Sequence, residues 1–432
     1  MSNDPDIAAR HAAYALLHGA LHSQRSIDED FDHHVSGLEP RNRAFVRLLV
    51  ATTLRRLGQI DAVLRTFVNR APPERVQDLL RLGAAQLLFM DTPAYAAVGT
   101  TVALAKQGAS APQAGMVNAV LRRVSEKGAE IIAAQDAAKL NTPSWLWAAW
   151  VAAYGEPAAR ATAEAHLQEA ALDLSLKTAA DAPEWAKRLG ATLLPTGSLR
   201  RTGGGRITEF DGFAEGAWWV QDAAATLPAK ILLHALGGGA GKTVIDLCAA
   251  PGGKTAQLAA AGCTVTAVDF VADRLSLLRE NLTRLKLSAN VIRADARSWR
   301  PDALADGVLL DAPCSATGTI RRHPDLSHLK RPTDPARFAT LQAELLTAAA
   351  QMVKPGGYVL YSVCSLQPEE RKAVVTAVIE QGAPLSPIKI PAEAVGGESQ
   401  FITPAGELRT LPSQWSELGG LDGFYGALFQ RN

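Results

Sequence analysis

Cysteine is scarce in this 432-residue chain. There are four, Cys248, Cys263, Cys314 and Cys364, and no two are spaced as CxxC. That pattern excludes a disulfide framework and a thiolate zinc site. Long apolar runs are also missing. The longest stretch without a charged residue, 140–155, has 16 positions and is broken by Asn141, Pro143 and Gly155; a membrane-crossing helix needs about 20 apolar residues. Excess charge of one sign is absent, with 44 basic against 43 acidic residues, so the overall balance points to no polyanionic partner. Residues 1–10 carry two aspartates and no basic run before an apolar block, unlike a secretory leader. A reduced, cytoplasmic protein is expected, with no membrane and no metal.

Core-forming material is abundant: 47% of residues are hydrophobic and 20% charged. A disordered chain is excluded, and about 100–200 residues per domain gives two to four domains. Composition separates three regions. Residues 1–140 read as an all-helical bundle. Ala9, Ala12, Ala13, Leu16, Leu17 and Ala20 form one i, i+3/i+4 stripe, and Gly or Pro breaks fall at Gly37–Pro40, Ala71–Pro73, Thr92–Pro93 and Gly108–Pro112. Residues 141–219 read as a small mixed α/β linking module, with a helix at Trp145–Tyr154 and a short strand at Asp173–Lys177. Residues 220–432 alternate strands and helices. The strands are Thr243–Cys248, Thr264–Asp269, Asn290–Ala294, Gly307–Asp311 and Tyr358–Val363; the helices include Lys254–Ala261, Asp273–Leu287 and Pro335–Met352. That order implies right-handed crossovers and a doubly wound, mostly parallel sheet, which binds ligands at the carboxyl ends of its strands.

The first such end carries Asp246-Leu-Cys248-Ala249-Ala250-Pro251-Gly252-Gly253-Lys254-Thr255. A triphosphate loop needs G-x-x-x-x-G-K-[ST], but Cys248 stands at its first glycine; at Gly241-Lys242-Thr243 that place falls to Leu236. A dinucleotide loop needs G-x-G-x-x-G, and no third glycine follows Gly253. S-adenosylmethionine remains as the expected cofactor, bound by 248–254. Asp269, at the tip of the second strand, is placed to accept from its ribose. Asp295, ending the third, is placed to accept from the adenine amino group.

The next two strand tips read Asp311-Ala312-Pro313-Cys314-Ser315 and Tyr361-Ser362-Val363-Cys364-Ser365. Adjacent strands lie about 4.8 Å apart, so two of the four cysteines are expected at one rim, facing the methyl donor across a gap one pyrimidine wide. Methylation at cytosine C5 needs such thiols. A thiolate adding to C6 turns the ring into an enamine whose C5 attacks the methyl group. Asp311 is placed to stabilise N3, and a base must then remove the C5 proton. Spacing alone leaves open which cysteine attacks.

These residues resemble the Sun/Fmu branch of the RNA cytosine-C5 methyltransferase family. Its cofactor motif DxCAAPGGKT matches Asp246–Thr255, and its DAPCSATGxIRRHPD motif matches Asp311–Asp325. Gly420-Leu-Asp422-Gly423-Phe424-Tyr425 resembles its closing strand. Residues around Arg41–Phe45, Leu80–Leu88 and Val117–Val124 resemble its NusB-like helical domain. The resemblance implies that Cys364 is the nucleophile and Cys314 assists product release, with Asp311 and Lys254 completing the catalytic set. Val363 stands where the family usually has Thr. The resemblance also implies binding of small-subunit ribosomal RNA through the NusB-like domain.

Local charge fits that expectation. Residues 284–337 hold ten Lys or Arg against six Asp or Glu, and residues 1–145 hold thirteen Arg and three Lys. Arg321, Arg322 and His323 are the expected RNA contacts, with Arg41, Arg43, Arg55 and Arg56 as candidates in the helical region. A monomer is expected. The competing functions are a non-catalytic RNA-binding or ribosome-assembly factor, and a C5-methyltransferase acting on transfer or messenger RNA.

Overall fold

A computed structural model of the chain describes residues 5–432. Positions 1–4, the start of the stretch read above for a leader and of the expected helical region, lie outside the described residues. The chain divides into two compact units. One comprises the chain through Gln168 together with Ile320–Pro332; the other comprises Glu169–Thr319 and Thr333–Asn432. No described helix is long and apolar enough to cross a membrane.

The first unit is helical. The stripe expected on its first helix, Pro5–His22, is buried at every position from Ala9 to Ala20. The Gly and Pro breaks fall between helices: Pro40–Arg55 begins on its proline, and Glu74–Phe89 and Ala94–Ala105 each follow one. Proline suits a helix start because the first N–H groups have no intrahelical partner. One buried carboxylate ties two helices. Asp78 Oδ2 pairs with His18 Nδ1 at 2.8 Å and His22 Nε2 at 3.0 Å, and its Oδ1 accepts from Arg81 at 2.9 Å. These three partners satisfy a charge that burial would otherwise penalise by several kcal/mol.

Residues 320–332 are held by the same unit. Asp325 Oδ2 accepts from the Ile27 N–H at 3.1 Å, Arg55 donates to the Arg321 carbonyl at 3.1 Å, and His323 Nδ1 lies 2.9 Å from Asp28 Oδ2. Arg321 is 1% exposed. Burial, then Arg321 and Arg55, push His166 down to about 3.

The second unit holds two sheets. The smaller is antiparallel: β1 (Leu172–Leu176), β2 (Thr192–Leu193), β3 (Leu199–Arg201) and β4 (Trp218–Val220), in the order β2-β3-β1-β4. Its Asp173 and Arg200 face each other across β1 and β3 and form a buried bidentate pair at 2.7 and 2.6 Å. Arg200 also donates to the carbonyls of Leu418 and Gly420, while Asp173 accepts from the Ala223 N–H. The pair therefore fastens the small sheet to segments beside the larger one.

The larger sheet comprises β5 (Thr243–Leu247), β6 (Thr264–Asp269), β7 (Asn290–Arg293), β8 (Ala305–Asp311), β9 (Val353–Val363), β10 (Leu385–Ile388), β11 (Leu408–Thr410) and β12 (Phe424–Arg431). Its order is β10-β12-β9-β8-β5-β6-β7, with β11 on β12. The five strands β5 to β9 are parallel, and β12 runs antiparallel to β9. The expected doubly wound sheet is present, with an antiparallel C-terminal edge that apolar periodicity did not reveal. Alternate residues serve two cores. Ile245, Leu247, Val308, Leu310, Val359, Tyr361 and Val363 pack on one face; Val244, Leu309 and Leu360 pack on the other. β9 starts earlier than the expected Tyr358 because a bulge between Ala305 and Gly307 absorbs the extra residues of Pro355-Gly356-Gly357. The chain crosses from one side of β5 to the other between β7 and β8, so the topological switch point lies between β5 and β8.

Candidate active site

The loop leaving β5 turns sharply through two residues with positive φ, Cys248 at 59° and Gly252 at 102°. The second needs glycine: a Cβ there would be strained and would sit 3.0 Å from Leu278 Cγ. Gly252 starts the helix Gly253–Ala260, whose first N–H groups lack intrahelical partners. A cavity of about 350 Å³ opens beside this loop. One wall comprises Asp246, residues 249–254 and Asp311; the other includes Phe213, Trp219, Gln221, Asn281 and Arg284. The second wall carried no signal in the sequence. Arg284 builds part of it by donating to the carbonyls of Phe213 and Trp218 and stacking 4.1 Å over the Phe213 ring.

The donor set suits S-adenosylmethionine. Asp246 is fully buried, and its Oδ2 accepts from Thr255 Oγ1 at 2.5 Å. Its Oδ1 has no partner among the described residues. Burial pushes this carboxyl up to about 7. An ammonium group would satisfy that oxygen, while the helix N–H groups and dipole suit a carboxylate. Asp269 lies behind the loop, accepting from the N–H groups of Ala250 at 3.1 Å and Val271 at 3.0 Å. Asp295 pairs through both oxygens with Arg297, at 2.7 to 3.2 Å. Cys248, Asp269 and Asp295 do not line the cavity; of the expected catalytic groups, Lys254 and Asp311 line it and Cys314 and Cys364 do not.

Lys254 and Asp311 meet at the switch point, with Lys254 Nζ 2.6 Å from Asp311 Oδ2. Ser362 donates to Asp311 Oδ1 at 3.1 Å, and Lys254 Nζ lies 5.3 Å from the centre of the Phe424 ring. Burial pulls Lys254 down, but Asp311 and then Cys364 outweigh it, and the net shift is upward. The pairing of β8 with β9 places the two cysteine tips side by side, and Cys314 Sγ is 3.4 Å from Cys364 Sγ. Cys314 is pushed well up, first by its hydrogen bond with Cys364 and then by burial. The neighbouring Val363 points into the hydrophobic core and is fully buried. A threonine hydroxyl there would face that core rather than the sulfurs.

Three residues that the sequence did not single out support the centre: Asp246, Ser362 and Glu370. Their common signal was proximity in sequence to a strand tip. Of the expected RNA contacts, Arg321 requires correction: its guanidinium is buried in the helical unit and offers no edge to a phosphate. His323, 44% exposed on its side chain, faces Asp28. Arg43 pairs with Asp32, and Arg56 donates to the Leu167 carbonyl.

Gly318 joins the cysteine loop to its neighbours. Its N–H donates to the Cys364 carbonyl at 3.0 Å, and its carbonyl accepts from Gly423 N–H at 2.8 Å. A Cβ at 318 would strike the Gly423 carbonyl and lie 2.9 Å from the Cys364 oxygen. Gly318→Ala is expected to lower stability by about 1–3 kcal/mol and to reduce methyl transfer in the protein that remains folded. Thermal unfolding and initial-rate assays measure the two effects.

Comparison with known proteins gives a consistent set of relatives. The family described as "16S rRNA methyltransferase RsmB/F" matches residues 234–430, and the "NusB family" matches residues 6–126. Ribosomal RNA small subunit methyltransferase B of Vibrio cholerae is 35% identical over 391 residues, covering 86% of this chain and 89% of the relative. Its counterpart in Pseudomonas putida is 35% identical over 450 residues, covering 98% and 97%. Among solved structures, PH0851 superposes with a TM-score of 0.77 at 24% identity over 100% of both chains. NSun6 from Pyrococcus horikoshii superposes at 0.55 and 18% identity, covering 67% of this chain and 98% of its own.

Proposed function

The chain belongs to the ribosomal RNA small subunit methyltransferase B family, the RsmB/F group with an N-terminal NusB domain, and from that premise we propose how its own residues carry out cytosine-C5 methylation of small-subunit ribosomal RNA. The enzyme depends on S-adenosylmethionine, which supplies an electrophilic methyl group when bound. The observation that carries the reading is the 3.4 Å approach of Cys314 and Cys364 at adjacent strand tips, beside the Lys254–Asp311 pair.

Residues 249–254 and Asp246, which line the cavity, would hold the cofactor; Cys248 shapes the turn, and Asp269 and Asp295, outside the lining, are proposed to meet its ribose and adenine ends. The Cys364 thiolate adds to C6 of the target cytidine and makes C5 nucleophilic. Negative charge develops at N3 as the adduct forms, and Asp311, held by Lys254 and Ser362, relays a proton from the Lys254 ammonium to N3. After C5 takes the methyl group, water takes the C5 proton; its electron pair expels the Cys364 thiolate from C6, and the N3 proton returns to the Lys254–Asp311 pair. Cys314, beside the departing sulfur, assists this last step. The target base reaches these groups by leaving its stack.

The 1–140 region is proposed to grip the surrounding RNA, with 141–219 linking it to the catalytic region 220–432. Arg322 and His323 remain proposed RNA contacts. The enzyme is proposed to act as a cytoplasmic monomer. Incubation with methyl-labelled cofactor and unmodified small-subunit ribosomal RNA is expected to place label on C5 of a cytidine. Label on a nitrogen or ribose oxygen, or on no ribosomal RNA, would overturn the proposal; exclusive labelling of transfer or messenger RNA would redirect its substrate.

A further inference from the structure

Each cysteine of the centre is followed by a serine, and both serines converge on one carboxylate. Glu370 sits on the short turn Pro368–Glu370, after β9, and is fully buried. Its Oε1 accepts from the Ser315 N–H at 2.7 Å and from Gln342 Nε2 at 3.1 Å. Its Oε2 accepts from the hydroxyls of Ser315 and Ser365, which lie 3.0 Å from each other. Gln342 also donates to the Pro313 carbonyl at 2.8 Å, immediately before Cys314. Tyr361, three residues before Cys364, donates to the Glu370 carbonyl at 2.7 Å. The serine backbone on each side is one peptide, about 3.8 Å between Cα atoms, from its cysteine.

We propose that Glu370 is the positioning residue of the two-cysteine centre: by binding Ser315 and Ser365 at once, it fixes the two strand tips at the separation that brings the sulfurs together. This rests on the reading of Cys314 and Cys364 as the reacting thiols.

The chemistry favours this role over simple filling of the core. Among the described residues no basic side chain forms an ion pair with Glu370. Burial pushes its carboxyl up, and the hydrogen bonds from Ser315, Ser365 and Gln342 act against that push. A carboxylate is a costly core residue unless every lone pair is used. Here four donors reach it, three from the serines and one from the amide that also holds Pro313. Strand pairing alone sets the spacing of the backbones but leaves the loop beyond each strand free to pivot. The carboxylate removes that freedom without touching substrate, since it is sealed from solvent.

The test uses the full-length protein and two readouts. Closure of the Cys314–Cys364 disulfide by diamide reports sulfur geometry without RNA or cofactor; the diazene takes two electrons and the two thiol protons and becomes a hydrazine. Single-turnover methyl transfer reports catalysis. Glu370→Gln keeps the side-chain volume but presents an NH₂ group where an acceptor is needed. It is expected to slow closure at least about 10-fold and transfer about 100-fold, the scale of a misplacement near 1 Å. Cofactor affinity should stay within about threefold, because the β5 loop is untouched.

Ser365→Ala, which deletes one hydroxyl, carries the same test if Glu370→Gln does not fold. The double variant should be no worse than Glu370→Gln alone, because both act through one clamp. Variants that close the disulfide and transfer methyl at wild-type rates overturn the proposal, as does lower thermal stability with unchanged closure. A wild-type protein that methylates no RNA, yet loses closure rate on Glu370→Gln, refutes the enzymatic reading and leaves the clamp standing.

Discussion

Cys364→Ala is expected to abolish methyl transfer, by at least about 10⁴-fold, because no neighbouring group replaces the nucleophile. Cys314→Ala is expected to behave differently. The remaining Cys364 can still add to C6 and C5 can still accept the methyl group, but the adduct should resolve slowly. A protein–RNA species that survives denaturing electrophoresis should therefore accumulate with Cys314→Ala and be absent with Cys364→Ala. The asymmetry follows from the roles that the family resemblance implies, and the 3.4 Å approach of the sulfurs places Cys314 beside the departing Cys364. Adduct in Cys364→Ala and none in Cys314→Ala would exchange the roles; adduct in neither would refute covalent catalysis.

The second large effect falls on the Lys254–Asp311 pair. Asp311→Asn keeps the shape of the side chain but removes its charge. A fall of about 10²–10³-fold in single-turnover rate is expected, comparable to losing one preorganised polar group at a developing charge. The pH dependence has a definite sign. In the wild type burial lowers the Lys254 pKa, while Asp311 and Cys364 raise it by more. Its raised pKa contributes stability that is fully present below the ordinary lysine value and lost as pH rises through the folded one. In the Asp311→Asn variant the largest opposing influence is gone, so the ammonium deprotonates at lower pH. The alkaline limb of the rate profile should move toward neutrality. An unchanged limb and an unchanged rate would remove the pair from catalysis.

Much of this centre was legible because strand-end chemistry is local. Lys254, Asp311, Cys314 and Cys364 each stand at or soon after the end of an apolar run of strand length, and alternating strands and helices dictate a parallel sheet whose carboxyl ends share one rim. The helical stripe from Ala9 to Ala20 was legible for the same reason, since its burial repeats with the period of one helix. Glu370 was harder to see. It stands beside Glu369 in a polar turn, and nothing local distinguishes the exposed glutamate from the buried one. Arg321 misled in the opposite direction: a basic cluster reads as a surface, but here its first member is buried.

The sequence by itself determined the secondary structure around the centre, the loop that excludes phosphate-binding alternatives and the set of groups proposed to react, because each depends on residues close together along the chain. Tertiary structure decided which strands became neighbours, which carboxylate clamps the two serines and where residues 320–332 pack. Those choices compare contacts between residues tens to hundreds of positions apart, and local periodicity carries no record of that competition.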